Sequence, residues 1–290
     1  MRFAVIGAGS WGSALALHLA HSGHEVTLWA RDEKHVSAMR SAGENRAYLP
    51  GCAFPQTLHV TNHIRDAVTS SDVIMVATPS HVFEEILTSI KAAVSSQVIL
   101  SVTKGLTSDG GMLSGVALRI LPNNDYALLS GPSFATEVAK QMPTAVIIAS
   151  DKADCAMRLV KAFSHNYFRA YASDDLLGVQ IGGAVKNVLA VACGISDGMG
   201  FGANARAGLI TRGLSEMMRL GAALGAQPKT LMGLSGMGDL VLTCTDDQSR
   251  NRRFGLAIGQ GKNLQQAQKS IGQVIESATT TQQVKTLAKT

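Results

Sequence analysis

Cysteine is scarce in this chain: Cys52, Cys155, Cys193 and Cys244 are scattered through 290 residues, with no C-x-x-C pair and no histidine at ligand spacing. That pattern argues against a disulfide framework and against a zinc site, so reduced thiols, a cytoplasmic setting and no metal are expected. Long apolar runs are missing too. The nearest approach to the ~20 uninterrupted apolar residues of a membrane span is Leu176 to Ser196, and it contains Gln180, Lys186 and Asn187. The apolar start is no secretory signal either, because Ser10, Gly12, Ser13 and His18 interrupt it and strand-like sequence follows. A large excess of one charge is likewise absent. The net charge of +5 and pI of 9.1 suit anionic small molecules better than a nucleic-acid footprint. Histidines 21 and 24 read as a helix end and its turn, not as a metal pair.

What the chain does have begins at its first residues. An apolar run, Phe3 to Ile6, meets Gly7-Ala8-Gly9-Ser10-Trp11-Gly12 and then a helix-forming stretch through Ala20. A second strand, Glu25 to Ala30, follows after the turn Ser22-Gly23-His24. This is the strand, glycine turn and helix of a dinucleotide site. Gly7 suits the tight turn, Gly9 leaves bare backbone for a pyrophosphate, and Gly12 lets the helix pack closely on the strand. After the second strand come Arg31 and Asp32, where an NAD site places an acid for the ribose hydroxyls and an NADP site a base for the 2′-phosphate. Arg31 lies nearer the strand end and favours NADP; the other reading makes either residue a solvated cap of the helix Glu33 to Ala42.

Residues 43–55 read as an irregular surface excursion. Strand-like and helical segments then alternate: Thr57–Thr61, Ile64–Ser71, Asp72–Ala77, Val82–Ala93, Gln97–Thr103, Leu113–Leu121, Ala127–Ser130, Ala135–Gln141, Thr144–Ser150 and Tyr167–Tyr171. Such alternation predicts a mostly parallel, doubly wound sheet of Rossmann type covered on both faces. Lys104-Gly105 stands at a strand end, where such folds collect ligand contacts, and Gly105 lets the backbone turn over a ligand; the other reading is a solvated loop lysine.

From Ser173 the pattern becomes helical, so the boundary is placed there: 1–172 for the cofactor and 173–290 for an all-α substrate and catalytic domain. The helix Asp174 to Gly194 is nearly apolar all round, and Lys186 is the single charge between Asp175 and Asp197. Burying an unpaired ammonium costs several kcal/mol, so Lys186 needs a carboxylate, a ligand or a wet cleft. Asn187, with Gly182 and Gly183 one turn back, suggests a wall that something approaches closely. Residues 233–239 read as a flexible loop delivering Asp239, which could also be a helix N-cap. Ser249 caps the next helix, whose first turn holds Arg250, Arg252 and Arg253. Three cations there oppose the helix dipole unless an anion is bound, which is the best unaided clue to a phosphate-bearing ligand.

Together these residues resemble the bacterial NAD(P)-dependent glycerol-3-phosphate dehydrogenases over essentially the whole chain. The resemblance rests on Gly7-Ala-Gly-Ser-Trp-Gly12, Lys104-Gly105, Leu129-Ser-Gly-Pro-Ser-Phe-Ala135, Val185-Lys-Asn-Val188, Gly236-Met-Gly-Asp239-Leu and Ser249-Arg-Asn-Arg252. It implies a helical C-terminal domain like that of 6-phosphogluconate dehydrogenase, and hydride transfer between NAD(P)H and dihydroxyacetone phosphate, which supplies glycerol 3-phosphate for phospholipids. It further implies cofactor contacts at Ser10, Trp11, Arg31, Lys104, Ala135, Arg250, Val274 and Glu276. Substrate contacts fall at Lys104, Gly131, Ser133, Lys186, Asp239, Ser249, Arg250 and Asn251, with Lys186 as proton donor and acceptor. A homodimer without nucleic-acid partner or stable membrane insertion is expected. Ser277 departs from the glycine usual after Glu276. The pattern Thr280 to Lys289 continues as a helix in a chain shorter than the family norm, so further C-terminal helices are expected.

Overall fold

A computed structural model describes residues 1–271 and 277–288. By contact density the chain divides into two compact units: Met1–Thr103, Leu113–Leu129 and Ser133–Leu176 in the first, Lys104–Met112, Ser130–Pro132 and the residues from Leu177 onward in the second.

The sheet has eight strands: β1 (Arg2–Ile6), β2 (Glu25–Trp29), β3 (Leu58–Thr61), β4 (Val73–Val76), β5 (Val98–Ser101), β6 (Tyr126–Ser130), β7 (Thr144–Ala149) and β8 (Phe168–Ser173). Their order is β3-β2-β1-β4-β5-β6-β7-β8. The pairings with a described register are parallel, including Ile6 opposite Trp29 on one side of β1 and Ile6 opposite Val76 on the other. The apolar runs in β1, β4 and β5 are buried throughout apart from Arg2, as a sheet covered on both faces requires. Strand order reverses at β1, which puts the crevice for a ligand at the carboxyl ends of β1 and β4.

The covering helices are α1 (Ser10–His21), α2 (Glu33–Ala42), α3 (Ile64–Thr69), α4 (Phe83–Ile90), α5 (Leu113–Ile120), α6 (Ala135–Ala139) and α7 (Ala153–Phe163). The sequence reading passed over α7. Asp154, Arg158 and Lys161 dilute its apolar content, although Cys155, Ala156, Leu159, Ala162 and Phe163 form one buried face. Phe163 meets Phe3 edge-on with ring centroids 6.0 Å apart; each large side chain so buried contributes roughly 1.5–3 kcal/mol. His18 of α1 is also buried, stacked on Phe168 and bonded through Nε2 to the Phe163 carbonyl at 2.8 Å. Burial pushes its pKa down to about 4, so the neutral ring donates that bond. His24 makes the same kind of contact to the Ala162 carbonyl at 3.0 Å, a structural use of the turn histidine.

Residues 43–55 are not merely a surface excursion. Asn45 is fully buried and its Nδ2 donates to the Ala8 carbonyl at 2.9 Å and to Ser13 Oγ at 2.8 Å. It therefore ties this segment to the glycine turn.

The second unit is helical: α8 (Leu176–Gly198), α9 (Gly202–Leu224), α10 (Pro228–Leu231), α11 (Asp239–Thr245), α12 (Arg250–Gly259), α13 (Leu264–Ile271) and α14 (Ser277–Leu287). Among the described residues α8 alone is long and apolar enough to cross a membrane, and 72% of its most apolar window is buried inside the protein. Ile181, Val185, Ala190 and Cys193 of α8 pack with Met217, Leu231, Leu240 and Cys244. The segment expected to be a flexible loop is a π-helical turn, Leu234–Gly238. A Cβ on Gly236 would lie 2.0 Å from the Leu231 carbonyl oxygen, so the turn is tightly packed.

Candidate functional site

In the first unit, β1 runs into Gly7 at φ +121°, where a Cβ would also lie 2.7 Å from the Ala77 carbonyl oxygen beyond β4. A Cβ on Gly12 would lie 1.9 Å from the Gly7 oxygen. Both positions demand glycine for the fold itself. Gly9 differs: a Cβ there would meet nothing within 4 Å, so its bare backbone serves something other than protein packing. The following helix α1 has Gly9 at its N-cap, with no side-chain cap and no acid in its first turn, so its leading N–H groups lack intrahelical acceptors. The indole Nε1 of Trp11 is buried with no partner among the described residues. An open glycine, an uncapped helix start and an orphan donor fit a dinucleotide pyrophosphate. Arg31 is exposed just after β2, whereas Asp32 caps α2 by accepting from the Lys34 backbone N–H at 2.9 Å. Ala135 opens α6 directly after Phe134.

In the second unit the charged side chains converge on Asp239. Lys186 of α8 donates to Asp239 Oδ1 and to Thr243 Oγ1, the latter at 2.9 Å. Lys104 donates to Asp239 Oδ2 at 2.7 Å and to the Gly131 carbonyl at 3.2 Å. Thr243 in turn donates to the Asp239 carbonyl at 2.6 Å. Asp239 is therefore no cap: it is the first residue of α11, 1% exposed, and holds two ammonium groups whose exposures are 8% for Lys186 and 18% for Lys104. Burial pushes the Asp239 carboxyl up, but the charges of Lys104 and Lys186 overcome this and hold it below the usual range. Lys186 is lowered to about 7, chiefly by burial, with Asp239 opposing and Lys104 assisting. Desolvation thus outweighs the neighbouring cation as the cause. Thr243 was not picked out from sequence; its i, i+4 spacing from Asp239 on one helix was the available signal. The close approach suggested by Gly182 and Gly183 comes from the protein itself: their Cβ atoms would lie 2.4 Å from the Ser235 carbonyl oxygen and 3.0 Å from Ser130 Oγ.

At the start of α12, buried Ser249 caps the helix, its Oγ accepting from the Arg252 N–H at 3.2 Å. Asn251 donates from Nδ2 to Asn187 Oδ1 at 2.9 Å, beside Lys186 in the chain, while Arg250 is exposed. Arg252 corrects the sequence reading. It is buried and bonded to Asp197 at 2.7 Å and to Asp247, so internal carboxylates and not a bound anion answer one of the three cations. Ser133 follows the Gly131-Pro132 turn, which Gly131 enters at φ +143°. Val274 and Glu276 lie outside the described residues. Among the described residues no group of three or more acidic, histidine or cysteine side chains could hold a metal.

The family model described as the NAD-dependent glycerol-3-phosphate dehydrogenase N-terminus matches residues 2–156, and its C-terminal counterpart matches residues 175–290. The chain belongs to the NAD-dependent glycerol-3-phosphate dehydrogenase family. Within it, the chain is 50% identical over 288 residues to the glycerol-3-phosphate dehydrogenase [NAD(P)+] of Halorhodospira halophila, covering 99% of this chain and 86% of the relative. It is 53% identical over 280 residues to that of Thioalkalivibrio sulfidiphilus, covering 96% and 84%. The crystal structure of glycerol-3-phosphate dehydrogenase from Coxiella burnetii superposes with a TM-score of 0.97 at 46% identity, covering 99% of this chain and 89% of the other.

Proposed function

We propose that Lys186 is the proton donor and acceptor of an enzyme that binds NADP or NAD at Gly7–Gly12 and a small phosphorylated ketone beside Asp239. The reaction is the interconversion of dihydroxyacetone phosphate and sn-glycerol 3-phosphate, the activity carried by its relatives, and it supplies phospholipid synthesis. The observation that carries the residue assignment is the buried Lys186 ammonium, shared between Asp239 and Thr243 with Lys104 on the other carboxylate oxygen.

When bound, the reduced nicotinamide supplies the hydride. Negative charge then grows on the substrate carbonyl oxygen, and Lys186 neutralises it by giving up a proton. Two of its three N–H donors are aimed at Asp239 and Thr243, which leaves one for that oxygen. A value near 7 suits a group that gives and takes a proton at working pH. Asp239 fixes the amine in place, and the two lysines against one carboxylate leave a net positive site for an anionic substrate. Ser249, Arg250 and Asn251 take the phosphate at the start of α12. Ser10, Trp11, Arg31 and Ala135 hold the dinucleotide, as the family resemblance implies. NADP is favoured because Asp32 is occupied as a helix cap and Arg31 is the base at the strand end. Residues 1–172 carry the cofactor site, apart from 104–112 and 130–132, which group with the substrate unit, in a cytoplasmic homodimer with no nucleic-acid partner and no stable membrane insertion.

The test is NAD(P)H oxidation with dihydroxyacetone phosphate beside unphosphorylated dihydroxyacetone. A strong preference for the phosphorylated ketone is expected; equal efficiency would remove the phosphate site.

A further inference from the structure

Arg252 and Asp197 are a pair whose helices do not want them. Asp197 stands in the last turn of α8, where the dipole disfavours an acid, and Arg252 in the first turn of α12, where it disfavours a base. Together they neutralise each other, with Asp197 also accepting from Arg206 Nη1 at 2.9 and 3.0 Å. Arg252 extends to Asp247 in the turn before α12 and receives the Ser249 cap on its backbone N–H. One guanidinium thus ties the preceding turn and the first turn of α12 onto α8.

At four glycines the two helices approach backbone to backbone. A Cβ on Gly194 or Gly198 of α8 would lie 2.1 Å from the Arg252 carbonyl oxygen or 2.4 Å from that of Leu256. Reciprocally, a Cβ on Gly255 or Gly259 of α12 would lie 2.1 Å from the Val191 oxygen or 2.3 Å from that of Ile195. Such a seam fixes the separation of the helices, whereas sliding along it is opposed by directional contacts. The contacts that set this register run from Asp197 and from Asn187 of α8 to the adjacent Arg252 and Asn251 in the first turn of α12. A buried ion pair adds little net stability over an apolar pair, and setting register is its best-attested use.

We infer that Asp197 and Arg252 are positioning residues: they hold the phosphate-binding start of α12 at the distance from Lys186 that the carbonyl-to-phosphate span of the substrate requires. The inference rests on the proposed phosphate site at Arg250 and Asn251. Displacing that site by about 1 Å can cost about 100-fold in catalytic efficiency.

The experiment measures KM for dihydroxyacetone phosphate, kcat, and inhibition by inorganic phosphate in D197N, R252K and R250A. Asp197→Asn is expected to raise KM for dihydroxyacetone phosphate by up to about 100-fold, with kcat reduced far less and the inorganic phosphate inhibition constant near wild type, because free phosphate does not span the distance to Lys186. Arg252→Lys, a milder change in case Asp197→Asn folds poorly, should show the same split to a smaller degree. The double variant should be no worse than D197N alone, because both remove one register contact. A purely structural role would lower the fraction of active protein and hence kcat, leaving KM unchanged in both variants. That result, with Arg250→Ala still selective for phosphate, overturns the inference alone. Arg250→Ala without any rise in KM or in the phosphate inhibition constant removes the proposed phosphate site and the inference with it.

Discussion

The two units build their sites from different material. The dinucleotide end of the first unit is made of missing atoms: Gly7 and Gly12 have no room for a Cβ, and Gly9 leaves backbone bare. The centre of the second unit is made of charges brought together from Lys104, Lys186 and Asp239. The first kind of site should fail when atoms are added, the second when charges are removed.

The largest effect is expected in the second unit. Lys186→Ala should lower turnover by roughly 100- to 10,000-fold, the usual contribution of general acid catalysis, while NADPH affinity by fluorescence titration stays near wild type. Retention of more than about a tenth of wild-type kcat would reduce Lys186 to a structural role. Next comes Arg250→Ala, which should raise KM for dihydroxyacetone phosphate by one to two orders of magnitude, since a charge-assisted contact to phosphate contributes about 1.5–3 kcal/mol. Equal losses on the unphosphorylated ketone would break the assignment.

Adding atoms to the first unit sharpens the contrast. Gly12→Ala should lower thermal stability by about 1–3 kcal/mol through overpacking. Gly9→Ala should leave the melting temperature alone yet weaken NADPH binding, because only a ligand competes for that space. If both variants lose stability equally in melting curves, Gly9 is a packing glycine like its neighbour. The smallest effect is expected from Arg31→Asp, a shift in the ratio of catalytic efficiencies from NADPH towards NADH; an unchanged ratio would place 2′-phosphate recognition elsewhere.

The same contrast explains what could be read from sequence. A glycine turn between strand and helix is contiguous, so its spacing announces it, and the alternation of apolar runs foretold a parallel sheet. The need of Lys186 for a carboxylate, a ligand or a wet cleft was also legible, as a lone charge in an apolar helix. Its partner was not: Asp239 lies 53 residues away, and Thr243 looked like any helical threonine. Arg252 shows the limit most clearly. Its charge at a helix start correctly signalled a missing anion, but Asp197, 55 residues earlier, supplies it. Asn45 was hidden for the same reason, inside a segment whose prolines and glycines read as surface.

The central claim is that buried Lys186, facing Asp239, Lys104 and Thr243, exchanges a proton with the substrate oxygen. Reduction needs the ammonium and oxidation the neutral amine, so the two directions should respond oppositely to pH. Above the second phosphate pKa near 6, kcat/KM for dihydroxyacetone phosphate should fall as pH rises through about 7, where burial has placed Lys186. Over the same range, kcat/KM for glycerol 3-phosphate should rise and then level off. Measuring both profiles on the wild-type protein tests this directly: mirrored limbs are the expected result, and flat profiles or limbs of the same sign in both directions would contradict it.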